Sequence, residues 1–457
     1  MSIVRTNEMA NPQESSSVPQ EAAAANGVTT TQMGRRRYVI AFALLLLAML
    51  SYIDRINISV AAPAILKEFD LSTGQLGLAL SAFFWTYTLL LIPFAWLSDR
   101  YGTRLIIPIG IVVWSMGAAA TGFAGGFVTL LIARLLLGVG ESPVFPAGNL
   151  VVREWAPAKE RGRFTAIFNA GSLIGPAVGA VLAGYLVISF GWRASFIILA
   201  VLGFLGAAVW LLVYRTPEQA SWISTSERDS ILTGREASED GRGDRSPMSI
   251  RALLRMTTTW GLMITQGCAV YTQYLFLSFL PLYLVNQRGL KVFGAGYMTG
   301  IIYGIAVLGS VAVAYVSDKV LRSAQVSHGD RRKVVVCTLV LGVVLLAVPY
   351  VNSIPAVVVL VAWTLTMITA AITLNFALAG DLTVDKSSAG RVFGLVTLGG
   401  NIFGLTAPIV TGYLVEGTNS YAVPFAVAAL LLLVGALVSW FMVRRPLQRA
   451  FTEARTA

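Results

Sequence analysis

Charge is scarce in this sequence. Of 457 residues only 12% are Asp, Glu, Lys or Arg, against 56% hydrophobic, and the mean hydropathy is +0.72. Soluble domains carry about a quarter charged residues, so a water-soluble globular fold is excluded. Cysteine is nearly absent. Cys268 and Cys337 both fall in apolar segments, which leaves no disulfide framework and no metal-binding spacing. Histidine occurs once, as His328 in the polar loop QVSHGDRRK, where it reads as a solvated loop residue rather than a ligand or base. No nucleophile motif, phosphate loop or metal cluster is present, so neither enzymatic chemistry nor a cofactor is expected.

Long apolar runs fill the space that charge leaves. About 20 residues of helix cross roughly 30 Å of hydrocarbon. Segments of that length are predicted near 38–60, 74–98, 105–124, 127–151, 163–188 and 193–214, then near 259–286, 294–320, 333–351, 355–380, 389–416 and 422–443. The predicted fold class is an all-α integral membrane protein, with twelve transmembrane helices in two pseudo-symmetric six-helix bundles. Residues 1–34, rich in Ala, Ser, Asn, Gln and Thr without apolar period, read as a disordered cytoplasmic tail. The N-terminal bundle is expected over 35–214, a cytoplasmic linker over 215–258, the C-terminal bundle over 259–443 and a cytoplasmic tail over 444–457. Ser224 and Glu227 have the spacing of a capping box, which predicts a short linker helix around Ser224–Leu232. GRRRYVIAF has the look of a twin-arginine signal, but no clear small-residue cleavage site follows, so it reads as an uncleaved first span.

The net charge of +11 does not point to nucleic acid, because the basic residues sit in short clusters between apolar segments. Arg35–Arg37, Arg100, Arg104, Arg153, Lys159, Arg161, Arg163, the linker bases, Lys319, Arg331–Lys333, Lys386, Arg391, Arg444 and Arg445 all fall in alternate loops. That bias places both termini in the cytoplasm, in a cell membrane. A repeat relates the halves: AWLSDRYGTR (Ala95–Arg104) follows the second span and AYVSDKVLRS (Ala314–Ser323) the eighth. Parallel six-span repeats with a site at their interface are a transporter design.

AWLSDRYGTR resembles the loop signature of the major facilitator superfamily, G-x-L-(a)-D-(r)-x-G-(r)-(r/k), with Ala95 where Gly is usual. SYIDRINISVAAPAI, ARLLLGVGESPVFPAG, EWAPAKERGRFTAIFNAGSLIGP and FLSFLPLYL resemble the anion:cation symporter branch, which includes galactonate, glucarate and hexuronate permeases. The resemblance covers nearly the whole chain after the tail. It implies proton-coupled import of an organic anion, a sugar acid or other carboxylate, by alternating access. The expected partners are that anion, a proton and the lipid bilayer, with the protein working as a monomer.

Four ionisable residues sit deep in the first half. Asp54 and Arg55 lie about 25 Å along the first helix from Arg37, at roughly 1.5 Å per residue. Arg134 reaches a similar depth in the fourth span, and Glu141 follows it by seven residues on the same helix face. One reading is a structural ion-pair cluster. The other follows from the rarity of intramembrane charge, which usually lines a pathway. In that reading Arg55, with its planar fork, binds the anion. Asp54 and Glu141 carry protons, and Arg134 is an internal counter-ion able to pair with either acid. The resemblance supports these roles at the D-R pair and the R-x6-E spacing. Candidate pocket residues are Tyr52 and Tyr87, which the resemblance places there, with Asn169, Ser172, Asn375, Thr397 and Asn401. Tyr271, Gln273, Tyr274 and Thr373 are further polar residues of the spans. Galactonate-type relatives tend to carry Gln near Ser172, Trp near Leu374 and Asn near Thr397, which argues against galactonate itself while leaving the anion class intact. Asp99, Arg100 and Arg104, mirrored by Asp318, read as gate residues at the cytoplasmic helix ends. The competing function is a proton-coupled antiporter exporting a drug or metabolite, because Gly171–Gly179 contains the exporter-type pattern G-x-x-x-G-P-x-x-G.

Overall fold

The computed structural model describes residues 35–157, 159–240, 248–321 and 329–447. The expected N-terminal tail, His328 and most of the C-terminal tail lie outside them. Twelve helices are long and apolar enough to cross a membrane, one on each predicted segment. They are α1 Tyr38–Phe69, α2 Thr73–Tyr101, α3 Thr103–Gly122, α4 Phe127–Trp155, α5 Arg161–Phe190 and α6 Trp192–Val213, then α7 Thr257–Asn286, α8 Val292–Val320, α9 Arg331–Tyr350, α10 Ile354–Leu382, α11 Ala389–Thr418 and α12 Ala422–Met442.

α1 runs nine residues past its expected end. The apolar run continues through Ile65, Pro63 sits inside the helix without ending it, and the chain turns only at Asp70, in the left-handed region at φ 50°. α4 is two helical pieces, Phe127–Glu141 and Val144–Trp155, joined through Ser142 and Pro143. Proline has no N–H for the helical ladder, so the break falls directly after Glu141. The linker helix is longer than expected, Thr225–Asp240. Its start follows the expected cap, with the Ser224 hydroxyl accepting from the Glu227 N–H at 3.2 Å.

Within the first bundle α1 packs on α5, α3 on α6, and α2 and α3 on α4. Within the second, α7 packs on α11 and α12, and α10 on α8 and α9. The bundles meet along three seams, α2 with α11, α5 with α8, and α1 with α7. The first two seams close only at the end away from the termini. There the backbone of Gly412 presses on Thr73 and Gly74, and Gly296 presses on the carbonyl of Ala180. A Cβ at either glycine would collide with main chain, so only glycine permits the approach. About two to three turns further along the same faces the helices part. On α2 the face of Gly77 and Ser81 continues to Ile92, which is 79% exposed. On α11 the face of Pro408 and Leu405 continues to exposed Thr397 and Gly394. The result is a cleft between the bundles, sealed distally and open toward the end that carries the termini.

Candidate functional site

The four deep charges converge inside the first bundle, at the inner end of the cleft. Asp54, Arg55, Arg134 and Glu141 are all at most 5% exposed. Arg55 takes the central place. Its Nε donates to Oε2 of Glu141 at 2.8 Å, and its Nη2 lies 2.8 Å from the same oxygen. Its Nη1 donates to the hydroxyl of Tyr274, on α7 of the opposite bundle, at 3.2 Å. Three rings surround the guanidinium, with centroids 4.5 Å away for Phe83, 4.7 Å for Tyr52 and 4.9 Å for Tyr87. Such cation–π contacts strengthen where water is excluded. α2 supplies two of the rings in adjacent turns, and Phe83 stacks on Tyr87 at 5.2 Å.

Arg134 is handled differently. Its guanidinium carbon stands 5.8 Å from the Phe83 ring centroid, and its Nε and Nη1 have no hydrogen-bond partner among the described residues. It makes no ion pair within 4 Å among the described residues. Both carboxylate oxygens of Asp54 and Oε1 of Glu141 are also without partners. Isolated charges at such burial cost several kcal/mol each, so this arrangement is one that a proton or an anion would change. The four residues form one electrostatic cluster, yet only Arg55 and Glu141 are joined.

The remaining candidates divide. Tyr52 and Ser172 line a pocket at the bundle interface, and Tyr87 belongs to the Arg55 stack. Asn169 is exposed one turn from Ser172, toward the open end, and its carbonyl accepts from the Ser172 hydroxyl at 2.7 Å. Thr397 is exposed on α11, with its hydroxyl donated to the Phe393 carbonyl, and Asn401 is half-buried with an unpartnered amide nitrogen. Asn375 faces another way: its amide nitrogen donates to Gln266 Oε1 at 2.9 Å and to the Leu262 carbonyl at 3.1 Å, tying α10 to α7. Asp99, Arg100 and Arg104 are exposed and, among the described residues, make no ion pair across the bundles. Asp318 pairs inside its own bundle with Arg331 at 2.7 Å, and Arg331 also holds Asp381 at 2.8 Å.

Several residues that shape the site escaped the sequence reading. The Phe83 ring lies close to both arginines, at 4.5 Å from Arg55 and 5.8 Å from Arg134, and Tyr303 and Thr369 line the pocket from the second bundle. Glu416, at the distal end of α11, accepts from the Ser72 hydroxyl at 2.8 Å and from the Gly74 N–H at 3.0 Å, clasping the first turn of α2. Nothing in the local sequence distinguishes these from core aromatics or a surface glutamate.

The Gly171–Gly179 pattern also has its place. Gly171, Gly175 and Gly179 lie against Leu45, Met49, Tyr52 and Ile53, letting α5 pack backbone-close to α1.

Comparison with known proteins locates this architecture. The family model described as Major Facilitator Superfamily matches residues 44–329 and 325–457. The chain is 30% identical over 434 residues to the probable galactarate/D-glucarate transporter of Bacillus subtilis (strain 168), covering 90% of this chain and 93% of the relative. It is 28% identical to the D-galactonate transporter of Escherichia coli O6:H1, covering 90% and 96%, and 30% identical to the hexuronate transporter of B. subtilis, covering 84% and 89%. In fold it is similar to a bacterial homologue of the human lysosomal transporter Spinster, solved in an inward-facing and occupied conformation. The TM-score is 0.72 at 19% identity, over 91% of this chain and 99% of that one. With twelve membrane-spanning helices in two bundles and sugar-acid transporters as its relatives, the chain belongs to the Major Facilitator Superfamily, in its organic-anion transporter branch.

Proposed function

We propose that the protein imports a carboxylate of the sugar-acid class together with a proton, by alternating access. The observation that carries this reading is the occupancy of Arg55: a cation placed at the bundle interface to meet an anion is already held by Glu141. A substrate carboxylate and Glu141 compete for the same guanidinium fork. Protonating Glu141 weakens its hold, so anion and proton bind better together than apart. Asp54, without a partner beside Arg134, is the second proton carrier. Arg134 remains as counter-ion to whichever acid is ionised. Tyr52 and Tyr87 flank the bound carboxylate, and Tyr274 carries the contact to the second bundle.

Direction follows from charge. The basic loops lie at the end where the cleft is open, and Lys and Arg are held on the cytoplasmic side. The conformation described is then the inward-facing one, with both termini cytoplasmic, and the site is complete within one chain. The close α1–α5 packing accounts for the Gly171–Gly179 pattern without an export function.

The test is uptake into proteoliposomes. Labelled galactarate, glucarate, galactonate and hexuronates would be offered with an inward pH gradient to wild type, Arg55→Ala and Glu141→Gln. Gradient-driven accumulation of one of these acids is expected in wild type, with no uptake in Arg55→Ala and exchange without accumulation in Glu141→Gln. Accumulation that survives both substitutions would overturn the mechanism. Efflux of cationic dyes against a reversed gradient, with no acid uptake, would favour the antiporter.

A further inference from the structure

The pocket beside the Arg55 stack contains a hydroxyl that none of the described residues uses. Tyr303, on α8, is 5% exposed and its phenol oxygen has no hydrogen-bond partner. Buried side-chain hydroxyls in native proteins are nearly always satisfied, and an unsatisfied one forfeits a hydrogen bond's worth of stability. The ring lines the same pocket as Tyr52, Ser172, Gln273, Tyr274 and Thr369. Leu173, Pro176, Leu277, Ala306 and Val307 complete its walls, so the polar side chains set where a ligand hydroxyl can bond. Tyr52 and Tyr274 belong at once to this pocket and to the shell around the Arg55 guanidinium. The pocket therefore adjoins the Arg55 shell across these two tyrosines, and Tyr303 lines it from the second bundle.

We propose that Tyr303 is a specificity-determining residue: its hydroxyl hydrogen-bonds a chain hydroxyl of the substrate whose carboxylate Arg55 holds, selecting polyhydroxy acids over plain aliphatic ones. This assignment rests on the sugar-acid reading above. A ligand held in this way touches both bundles, through Arg55 on α1 and Tyr303 on α8. An aliphatic acid reaching the same place leaves the phenol unpaired, and a site that expects a hydrogen bond discriminates against an analogue that lacks it.

The experiment compares wild type with Tyr303→Phe in proteoliposomes, using labelled D-glucarate as substrate and adipate as competitor. Adipate has the same chain length and both carboxylates but no hydroxyls. In Tyr303→Phe the KM for glucarate should rise about tenfold, the loss of one hydrogen bond to a neutral group. The kcat should stay within about twofold, and the inhibition constant of adipate should not move. An unchanged KM overturns the proposal. So does a parallel rise in the KM and in the adipate constant, which is what a packing role would give. If wild type moves neither glucarate nor any other sugar acid, the sugar-acid reading falls and this assignment falls with it. If wild type moves glucarate and Tyr303→Phe leaves its preference over adipate intact, only the Tyr303 assignment falls.

Discussion

The guanidinium of Arg55 has one carboxylate, one phenol hydroxyl and three rings around it. Lysine cannot reproduce this, because an ammonium is a point charge without a fork or a planar face. Arg55→Lys should therefore lower kcat/KM for uptake by about 10- to 100-fold, the loss of roughly one charge-assisted hydrogen bond and its stacking. Uptake within twofold of wild type would mean that charge alone suffices. Glu141 tests the competition directly. In wild type, anion affinity should fall as pH rises, because deprotonated Glu141 reclaims Arg55. In Glu141→Gln that competitor is gone, so affinity should be higher at alkaline pH and nearly flat with pH. Equilibrium binding of a labelled acid between pH 5 and pH 9 reads both slopes (a range of about four units around neutrality). Parallel slopes in the two proteins would move the proton to Asp54.

At the scale of elements, the linker is anchored by charge at one end of α1. The Arg37 side chain binds Glu160 through two nitrogens, each at 2.9 Å, and Glu227 of the linker helix at 3.0 Å. Arg36 donates to the Trp222 carbonyl, and Trp222 stacks on Trp155 at 5.1 Å. The Arg37 hydrogen bonds, aided by its charge, hold the Glu160 carboxyl below the usual glutamate range. A lowered carboxyl contributes stability that is present above its unfolded value, about 4.3, and is lost as pH falls through the folded value. The linker helix should thus keep its hydrogen-exchange protection at neutral pH and lose part of it only below about pH 4. Glu160→Gln should show the lower protection already at neutral pH. Equal protection in both proteins at pH 7 would mean that the Arg37–Glu227 contact and the Trp222–Trp155 stack fix the helix without Glu160. What the sequence made legible follows the same physics. Twelve spans were readable because about 20 apolar residues in a row have few other uses, and the deep charges stood out because oil makes them expensive. Which charges pair was not readable. The seven-residue spacing puts Arg134 and Glu141 on one helix face, yet Glu141 turns to Arg55 because α4 breaks at Pro143 and α1 comes alongside. Tyr303 and Phe83 were invisible for a related reason. Helices apolar on every side carry no mark of which face meets the cleft, and Asn375, which looked like a pocket residue, is taken up by Gln266.

At the scale of the whole molecule, contacts far from the charges join the distal ends of the two bundles. At the distal end Glu416 clasps the N-terminal turn of α2, Thr73 donates to the Gly412 carbonyl at 3.0 Å, and Ser81 donates to the Leu405 carbonyl at 2.7 Å. A carboxylate on a helix N-terminus is favoured by the exposed N–H groups there. At the other end Asp99 is exposed and Asp318 is occupied by Arg331 within its own bundle, so among the described residues neither forms a counterpart of this clasp across the cleft. The asymmetry predicts that Glu416 biases the resting protein toward the distally closed state. Charge-assisted hydrogen bonds contribute about 1.5–3 kcal/mol each, and about 1.4 kcal/mol shifts a two-state ratio tenfold. Cysteine accessibility measures the shift. Cys337 is the one exposed cysteine among the described residues, so Cys337→Ser supplies the background, with Cys268 buried. In that background Thr397→Cys, in the open cleft, should label rapidly with a hydrophilic maleimide applied from the side of the termini. Ser81→Cys, inside the distal seam, should be protected from the opposite side. Adding Glu416→Ala should expose Ser81→Cys and slow Thr397→Cys, each by about tenfold, as the ratio moves toward the other face. Movement of both probes in opposite directions is what a single rocking equilibrium requires. If Ser81→Cys gains exposure while Thr397→Cys keeps its rate, the clasp secures only the local helix ends and the two faces of the cleft are not coupled through it.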